Sequence, residues 1–153
     1  MSASHEIEHP TPRSAYLAGH GSWLLLALTA LTAIAIARQL HPDARGFGTH
    51  TQLGIPACGF LALTGFPCPA CGLTTCFAHM SRGQFTQALA ANAIGVVMFG
   101  AVLVTPVFAV WAIARKRAFF ETCARMRIDR VCIAFACALL LQWVVRVACL
   151  LLG

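Results

Sequence analysis

Residues 64–75 read Thr64-Gly65-Phe66-Pro67-Cys68-Pro69-Ala70-Cys71-Gly72-Leu73-Thr74-Thr75. They place a Cys-Pro-x-Cys-Gly sequence, residues 68–72, inside an otherwise apolar chain, and we call these five residues the cysteine turn. Pro69 fixes φ at the first inner position of the turn, and Gly72 can adopt a positive φ at little steric cost. Because such a turn points both sulfurs the same way, it suits a bound metal ion or a disulfide.

The composition of the chain indicates a multi-pass membrane protein. Its 153 residues are 59% hydrophobic and only 10% charged, and the mean hydropathy of +0.76 lies outside the usual soluble range. The formal net charge is +6, but six of the eleven Lys and Arg residues fall within residues 115–130, which we call the basic segment. Since this clustering is a topology signal and not a nucleic-acid footprint, we expect no nucleic-acid partner.

Three apolar runs are long enough to cross a bilayer, because about 20 helical residues span its core. They cover about residues 16–37, 88–114 and 131–152 of a single transmembrane domain, residues 16–153. A polar, disordered lead-in is expected over residues 1–15. The first run also has features of a signal peptide, with an A-x-A-like site at residues 35–37, and we favour its retention as an anchor. The predicted fold is therefore an all-α membrane protein with three transmembrane helices.

The segment between the first two spans contains the cysteine turn and is too broken by Pro67 and Pro69 to cross the membrane as one helix. Irregular backbone survives at membrane depth only where protein or water covers it. We therefore place residues 57–80 at the interface or in a re-entrant loop, with a short helix from Leu73 to Ser81 after the turn. Residues 38–56 are rich in turn residues and predict no regular element.

The basic segment also predicts the orientation of the chain. Residues 38–87 carry only three Lys or Arg residues, namely Arg38, Arg45 and Arg82. By the positive-inside rule, the basic segment then lies in the cytoplasm. Three spans place the N-terminus in the cytoplasm as well, and the cysteine turn and the C-terminus outside it.

Several short motifs resemble a known family of small bacterial membrane proteins. They are Gly48-Thr49-His50-Thr51-Gln52-Leu53-Gly54, Pro56-Ala57-Cys58, the cysteine turn with Leu73-Thr74-Thr75, Arg82-Gly83-Gln84-Phe85, and Asn92. The set resembles domain-of-unknown-function family 2752, whose members often carry arginine in place of Thr75 and proline in place of Ala93. The resemblance implies a fold in the bacterial inner membrane with a cysteine-centred site, and no established activity.

Two chemistries fit the cysteines. The first is a metal site, with zinc as the favoured ion, in which Cys58, Cys68 and Cys71 are ligands and His50 is the best fourth candidate. His79 is a poorer candidate, because a helix after the turn would place it about 12 Å along the axis from Cys71. The second is a disulfide between Cys68 and Cys71, structural or redox-active, in an oxidising space outside the cytoplasm. The sequence leaves both open, and we favour the metal site.

A third interpretation is an accessory or assembly subunit that has no chemistry of its own and binds a membrane-protein partner or a second copy of the chain. No Ser/His/Asp set, phosphate-binding glycine loop or paired intramembrane carboxylates occur, so we do not expect an enzyme, with a thiol–disulfide oxidoreductase as the one exception. Gln142 and Arg146 share one stripe of the third span and can face Asn92. We expect five polar residues to support the site: Thr74, Thr75, Asn92, Gln142 and Arg146.

Overall fold

A computed structural model describes residues 12–152 of the chain, with side chains from residue 20 onward. Within that range the regular structure is entirely helical, which confirms the predicted fold class. In chain order the elements are α1 (Pro12–Gln39), a 3-10 helix (Thr49–Leu53), α2 (Gly59–Thr64), α3 (Leu73–Met80), α4 (Phe85–Ala91), α5 (Ala93–Ala114), α6 (Phe119–Arg125) and α7 (Ile128–Leu152). Most of the predicted lead-in, residues 1–11, lies outside the described residues.

Three segments are long and apolar enough to cross a membrane: His20–Gln39 within α1, Ala93–Ala114 as α5, and Ile128–Leu152 as α7. They confirm the three predicted spans and imply a lipid bilayer as the environment of the protein. The short helix predicted after the cysteine turn is α3. The loop predicted over residues 38–56, in contrast, contains the 3-10 helix, whose two ends are Gly48 and Gly54, both with positive φ.

The second span begins later than the sequence predicts. Residues 85–114 form two helices, because Asn92 has an extended backbone with φ −165° and ψ 107°. The Asn92 Oδ1 accepts a hydrogen bond from the Gly95 N–H at 2.9 Å, so Asn92 caps α5 and does not lie inside it. The alanine-rich sequence on both sides of Asn92 favours helix, which is why the break is hidden in the sequence.

Helices α1 and α5 pack together through small side chains and one tryptophan. Ala30 and Ala37 of α1 and Ala109 and Ala112 of α5 are all buried, and such small residues let membrane helices approach closely. Near the basic segment, Trp23 packs against two phenylalanine rings, and its Nε1 donates to the Arg117 carbonyl at 3.0 Å. The N-terminal half of α1 is therefore tied to the end of α5.

Two arginines tie the other end of α1 to α3. The Arg38 guanidinium donates to the Ser81 carbonyl at 2.8 Å. The Arg82 guanidinium donates to the carbonyls of Ala78 and Arg38, each at 2.7 Å. These bonds satisfy carbonyls that helix ends leave without partners. They also fix α3, and with it the cysteine turn, beside the C-terminal end of α1.

Candidate metal centre

The cysteine turn is closed by backbone hydrogen bonds and leads directly into α3. The Cys71 N–H donates to the Cys68 carbonyl at 3.0 Å, and the Leu73 N–H donates to the Ala70 carbonyl at 3.1 Å. Gly72 has a φ of +92°, a conformation in which a side chain would be strained. Cys58, which comes from a different part of the loop, immediately precedes α2.

Three thiols meet at the turn. The Sγ atoms of Cys58, Cys68 and Cys71 all lie within 4.8 Å of one another, and those of Cys68 and Cys71 are 3.2 Å apart. All three cysteines are free, and we call them the thiol cluster. Sulfurs that share one tetrahedral zinc ion at ~2.3 Å are about 3.8 Å from one another. Small side-chain rotations would therefore be enough for the cluster to bind one ion.

The thiols of the cluster differ in acidity. A hydrogen bond from the Leu61 backbone amide, aided by the Cys68 and Cys71 thiols, lowers the pKa of Cys58 to about 7. Burial, together with hydrogen bonding to Cys68, raises the pKa of Cys71 to about 12. Without an ion, Cys58 therefore carries thiolate character near neutral pH and Cys71 stays protonated. A bound cation would favour the thiolate form of every ligand.

Gly72 lies where three chain segments meet. A Cβ built on Gly72 would come within 3.0 Å of the carbonyl oxygens of both Ala91 and Gly46, a distance that real Cβ atoms essentially never show. The end of α4 and the loop before the 3-10 helix therefore pack directly on the backbone of the cysteine turn. Only glycine satisfies both this contact and the positive φ.

A buried threonine pair joins the 3-10 helix to α3. The Oγ1 atoms of Thr49 and Thr75 are 2.8 Å apart, and both residues are fully buried. The Thr49 Oγ1 also accepts a hydrogen bond from the Asp43 N–H at 3.0 Å. Thr75 therefore supports the site through packing and hydrogen bonding, while Thr74 lines the cavity beside the thiols.

Helix α7 contacts the site through polar side chains. The Gln142 Nε2 donates to the Asn92 Oδ1 at 3.2 Å, and the Gln142 Oε1 accepts from the Ile94 N–H at 2.9 Å. The Arg146 Nη1 donates to the Cys71 carbonyl at 3.2 Å, and the Asn92 Nδ2 reaches the same carbonyl at 3.4 Å. The structure thus brings Asn92, Gln142 and Arg146 together under the cysteine turn, on the face that their spacing predicts.

Helix α7 makes a further contact, through Trp143, that the sequence does not predict. The Trp143 Nε1 donates to the Pro67 carbonyl at 2.6 Å, and the Trp143 ring packs edge-on against Phe60 of α2. A tryptophan beside Gln142, in the C-terminal half of the third span, is the signal available in the sequence, because tryptophan is enriched where a membrane helix meets polar surroundings.

His50 lies beside the thiol cluster but is not a member of it. Its Nε2 is 3.3 Å from the Pro56 carbonyl, while its side chain and all three thiols line one cavity of about 400 Å³. The other histidine considered, His79, has its Nδ1 2.7 Å from the Gln84 Oε1. Cys76 is fully buried in α3 and is not part of the cluster.

Residues 58–106 match the model of a family described as protein of unknown function (DUF2752). This is the family that the motifs resemble, so the match confirms that resemblance. The matched segment contains all three thiols and Asn92, while the His50 motif lies before it. No curated protein and no solved structure matches the chain.

Proposed function

We propose that this chain is a protein of the bacterial inner membrane that binds a thiophilic metal ion such as Zn²⁺ through Cys58, Cys68 and Cys71. The observation that carries the proposal is the convergence of three free thiols within 4.8 Å, from two separate parts of the loop. A disulfide needs only two sulfurs, whereas three thiolates are a common partial ligand set for zinc. Soft thiolate ligands also select zinc and copper(I) over magnesium and calcium.

His50 is the proposed fourth ligand. Its contact with the Pro56 carbonyl, at 3.3 Å, is longer than a good N–H···O hydrogen bond and is easily given up. A rotation of its side chain would turn the imidazole into the cavity that it shares with the thiols. Three thiolates, a neutral imidazole and Zn²⁺ carry a net charge of −1, and the Arg146 guanidinium on the Cys71 carbonyl complements that charge.

The metal content of the purified protein tests this proposal. Cys68→Ala should lower the affinity for Zn²⁺ by roughly 100- to 1,000-fold, because it removes one of about four ligands that together provide the binding free energy. Cys132→Ala is the matched control, since Cys132 is an exposed cysteine of α7 far along the chain from the cluster. The proposed metal site would be wrong if Cys68→Ala retained the metal, or if Cys68→Ala and Cys132→Ala lost it equally.

A disulfide between Cys68 and Cys71 is the second candidate, and the 3.2 Å separation of their sulfurs favours it. Forming the bond removes two protons and two electrons, which an oxidant outside the cytoplasm would have to accept. Intact mass under native and thiol-alkylating conditions separates the candidates. An added metal mass supports the first, and a deficit of two hydrogens supports the second. A third outcome, free thiols and no bound metal, would mean that the loop has only a structural role and would support the accessory-subunit interpretation.

We further propose that the basic segment faces the cytoplasm and that the thiol cluster lies outside it, following the positive-inside rule. After metal removal and reduction, a membrane-impermeant maleimide on intact cells should label Cys58 and leave Cys123 of α6 unlabelled. Permeabilised cells are the control and should show labelling of Cys123. Labelling of Cys123 in intact cells would show that the orientation is the opposite of the proposed one.

A further inference from the structure

The basic segment folds back on the end of α5. After Ala114, the Lys116 N–H donates to the Ile113 carbonyl and the Arg117 N–H donates to the Ala112 carbonyl, each at 2.9 Å. Lys116 adopts a left-handed φ of 51°, which reverses the chain direction as helix C-terminal motifs do. The reversal brings α6 into contact with α1 and α7, and a space remains between α6 and the end of α5.

That space is a cavity of about 300 Å³. Its lining includes three large apolar residues, Phe108 and Trp111 of α5 and Met126. It also includes three charged residues, Arg117, Glu121 and Arg125. An apolar lining with two cationic groups matches an amphipathic ligand with an anionic head.

Among residues 20–152, the charged groups of this cavity form no ion pair. The ion pair found within that range joins Arg45 to Asp43, at the opposite end of the membrane helices. Two guanidinium groups and one carboxylate leave the cavity with a net charge of +1. That charge complements a single phosphodiester, and the free Glu121 carboxylate can accept hydrogen bonds from hydroxyl groups of a ligand.

The position of the cavity along the spans supports the same ligand. Helix α5 has 22 residues, so its two ends lie about 33 Å apart, and the cavity lies within two turns of the end remote from Asn92. The length of the helix matches the thickness of the hydrocarbon core, so the cavity lies near the boundary with the lipid headgroups. Trp111, which is 44% exposed, lies where tryptophan is enriched in membrane proteins.

We propose that this cavity is a binding site for an anionic phospholipid whose headgroup carries hydroxyl groups. Arg117 and Arg125 bind the phosphodiester, and Glu121 accepts from the headgroup hydroxyls. Phe108 and Trp111 contact the start of an acyl chain. The site is independent of the thiol cluster and needs no metal.

The test uses the full chain, purified in a neutral detergent and titrated with phosphatidylglycerol while native mass spectrometry counts the bound lipid. Arg117→Gln combined with Arg125→Gln should weaken phosphatidylglycerol binding about 30-fold, since each guanidinium that binds the phosphodiester directly contributes a several-fold gain in affinity. Arg115→Gln combined with Arg130→Gln removes the same charge from the same segment but leaves the cavity walls intact, and should weaken binding less than threefold. Arg125→Gln alone, with an expected loss of about fivefold, serves if the double variant does not fold.

Three results would overturn the proposal. Equal losses in the two double variants would show general attraction to the basic segment and no site. If phosphatidylcholine bound as tightly as phosphatidylglycerol, neither the anionic charge of the lipid nor Glu121 would contribute to binding. Inorganic phosphate that displaces the lipid at equal concentration would identify a site for free phosphate.

Discussion

Gly72→Ala is expected to destabilise the fold by about 2–5 kcal/mol. The estimate combines about 1–2 kcal/mol for a side chain at a left-handed φ with about 1–3 kcal/mol for overpacking. The new Cβ would come within 3.0 Å of two backbone carbonyls, those of Ala91 and Gly46, which cannot swing aside as a flexible side chain can. Because the shift would move Cys71, metal binding should fall together with stability.

Gly65→Ala is the matched control for this prediction. Gly65 has a φ of +76°, close to that of Gly72, but a Cβ at this position would meet nothing within 4 Å. The control should therefore show the conformational cost alone, about 1–2 kcal/mol. Reversible unfolding in mixed detergent micelles, followed by circular dichroism, measures both variants. Equal destabilisation in the two would mean that the close approach of Ala91 and Gly46 contributes nothing.

Asn92→Ala should cost about 2–4 kcal/mol, the second of the large effects. Asn92 is 1% exposed and caps α5 at the Gly95 N–H. Loss of an N-cap costs about 1 kcal/mol, and each buried polar group left without a partner costs about 1–3 kcal/mol. The Gly95 N–H and the Gln142 amide would both lose the acceptor that they share in Asn92.

Asn92→Ser separates the two contributions of Asn92. Serine is a good N-cap residue but is too short to reach both Gln142 and the Cys71 carbonyl, so it should recover only about 1 kcal/mol of the loss. The same unfolding measurement applies. If Asn92→Ala unfolds within about 0.5 kcal/mol of the wild type, the buried amide does not hold α5 and α7 together.

The sequence predicts the spans well because their signal is local. Length and apolar composition mark α1, α5 and α7, and the proline and glycine residues of the cysteine turn mark the start of α3. The sequence does not reveal the break at Asn92, because alanine on both sides favours helix and the partner of the Asn92 side chain, Gln142, is 50 residues away.

The candidate site was predictable only in part, again for a physical reason. Cys68 and Cys71 are close in sequence, so their turn brings the sulfurs together without help. The approach of Cys58 and the 3.3 Å contact between His50 and the Pro56 carbonyl depend on how the loop packs on α3 and α4. No periodicity in the sequence reports that packing, and the same holds for the cavity between α5 and α6.

The meeting of three segments at Gly72 makes the packing of the cysteine turn depend on contacts between distant parts of the chain. Contact of Gly46 and Ala91 with Gly72 joins residues that are 26 and 19 positions apart, and the Arg146 bond to Cys71 joins residues 75 positions apart. Loop closure carries an entropic cost that rises with length, so contacts between distant residues form late. The cysteine turn is therefore fully braced only when α7 has packed beside it, and an ion bound there would mark a chain whose third span is in place.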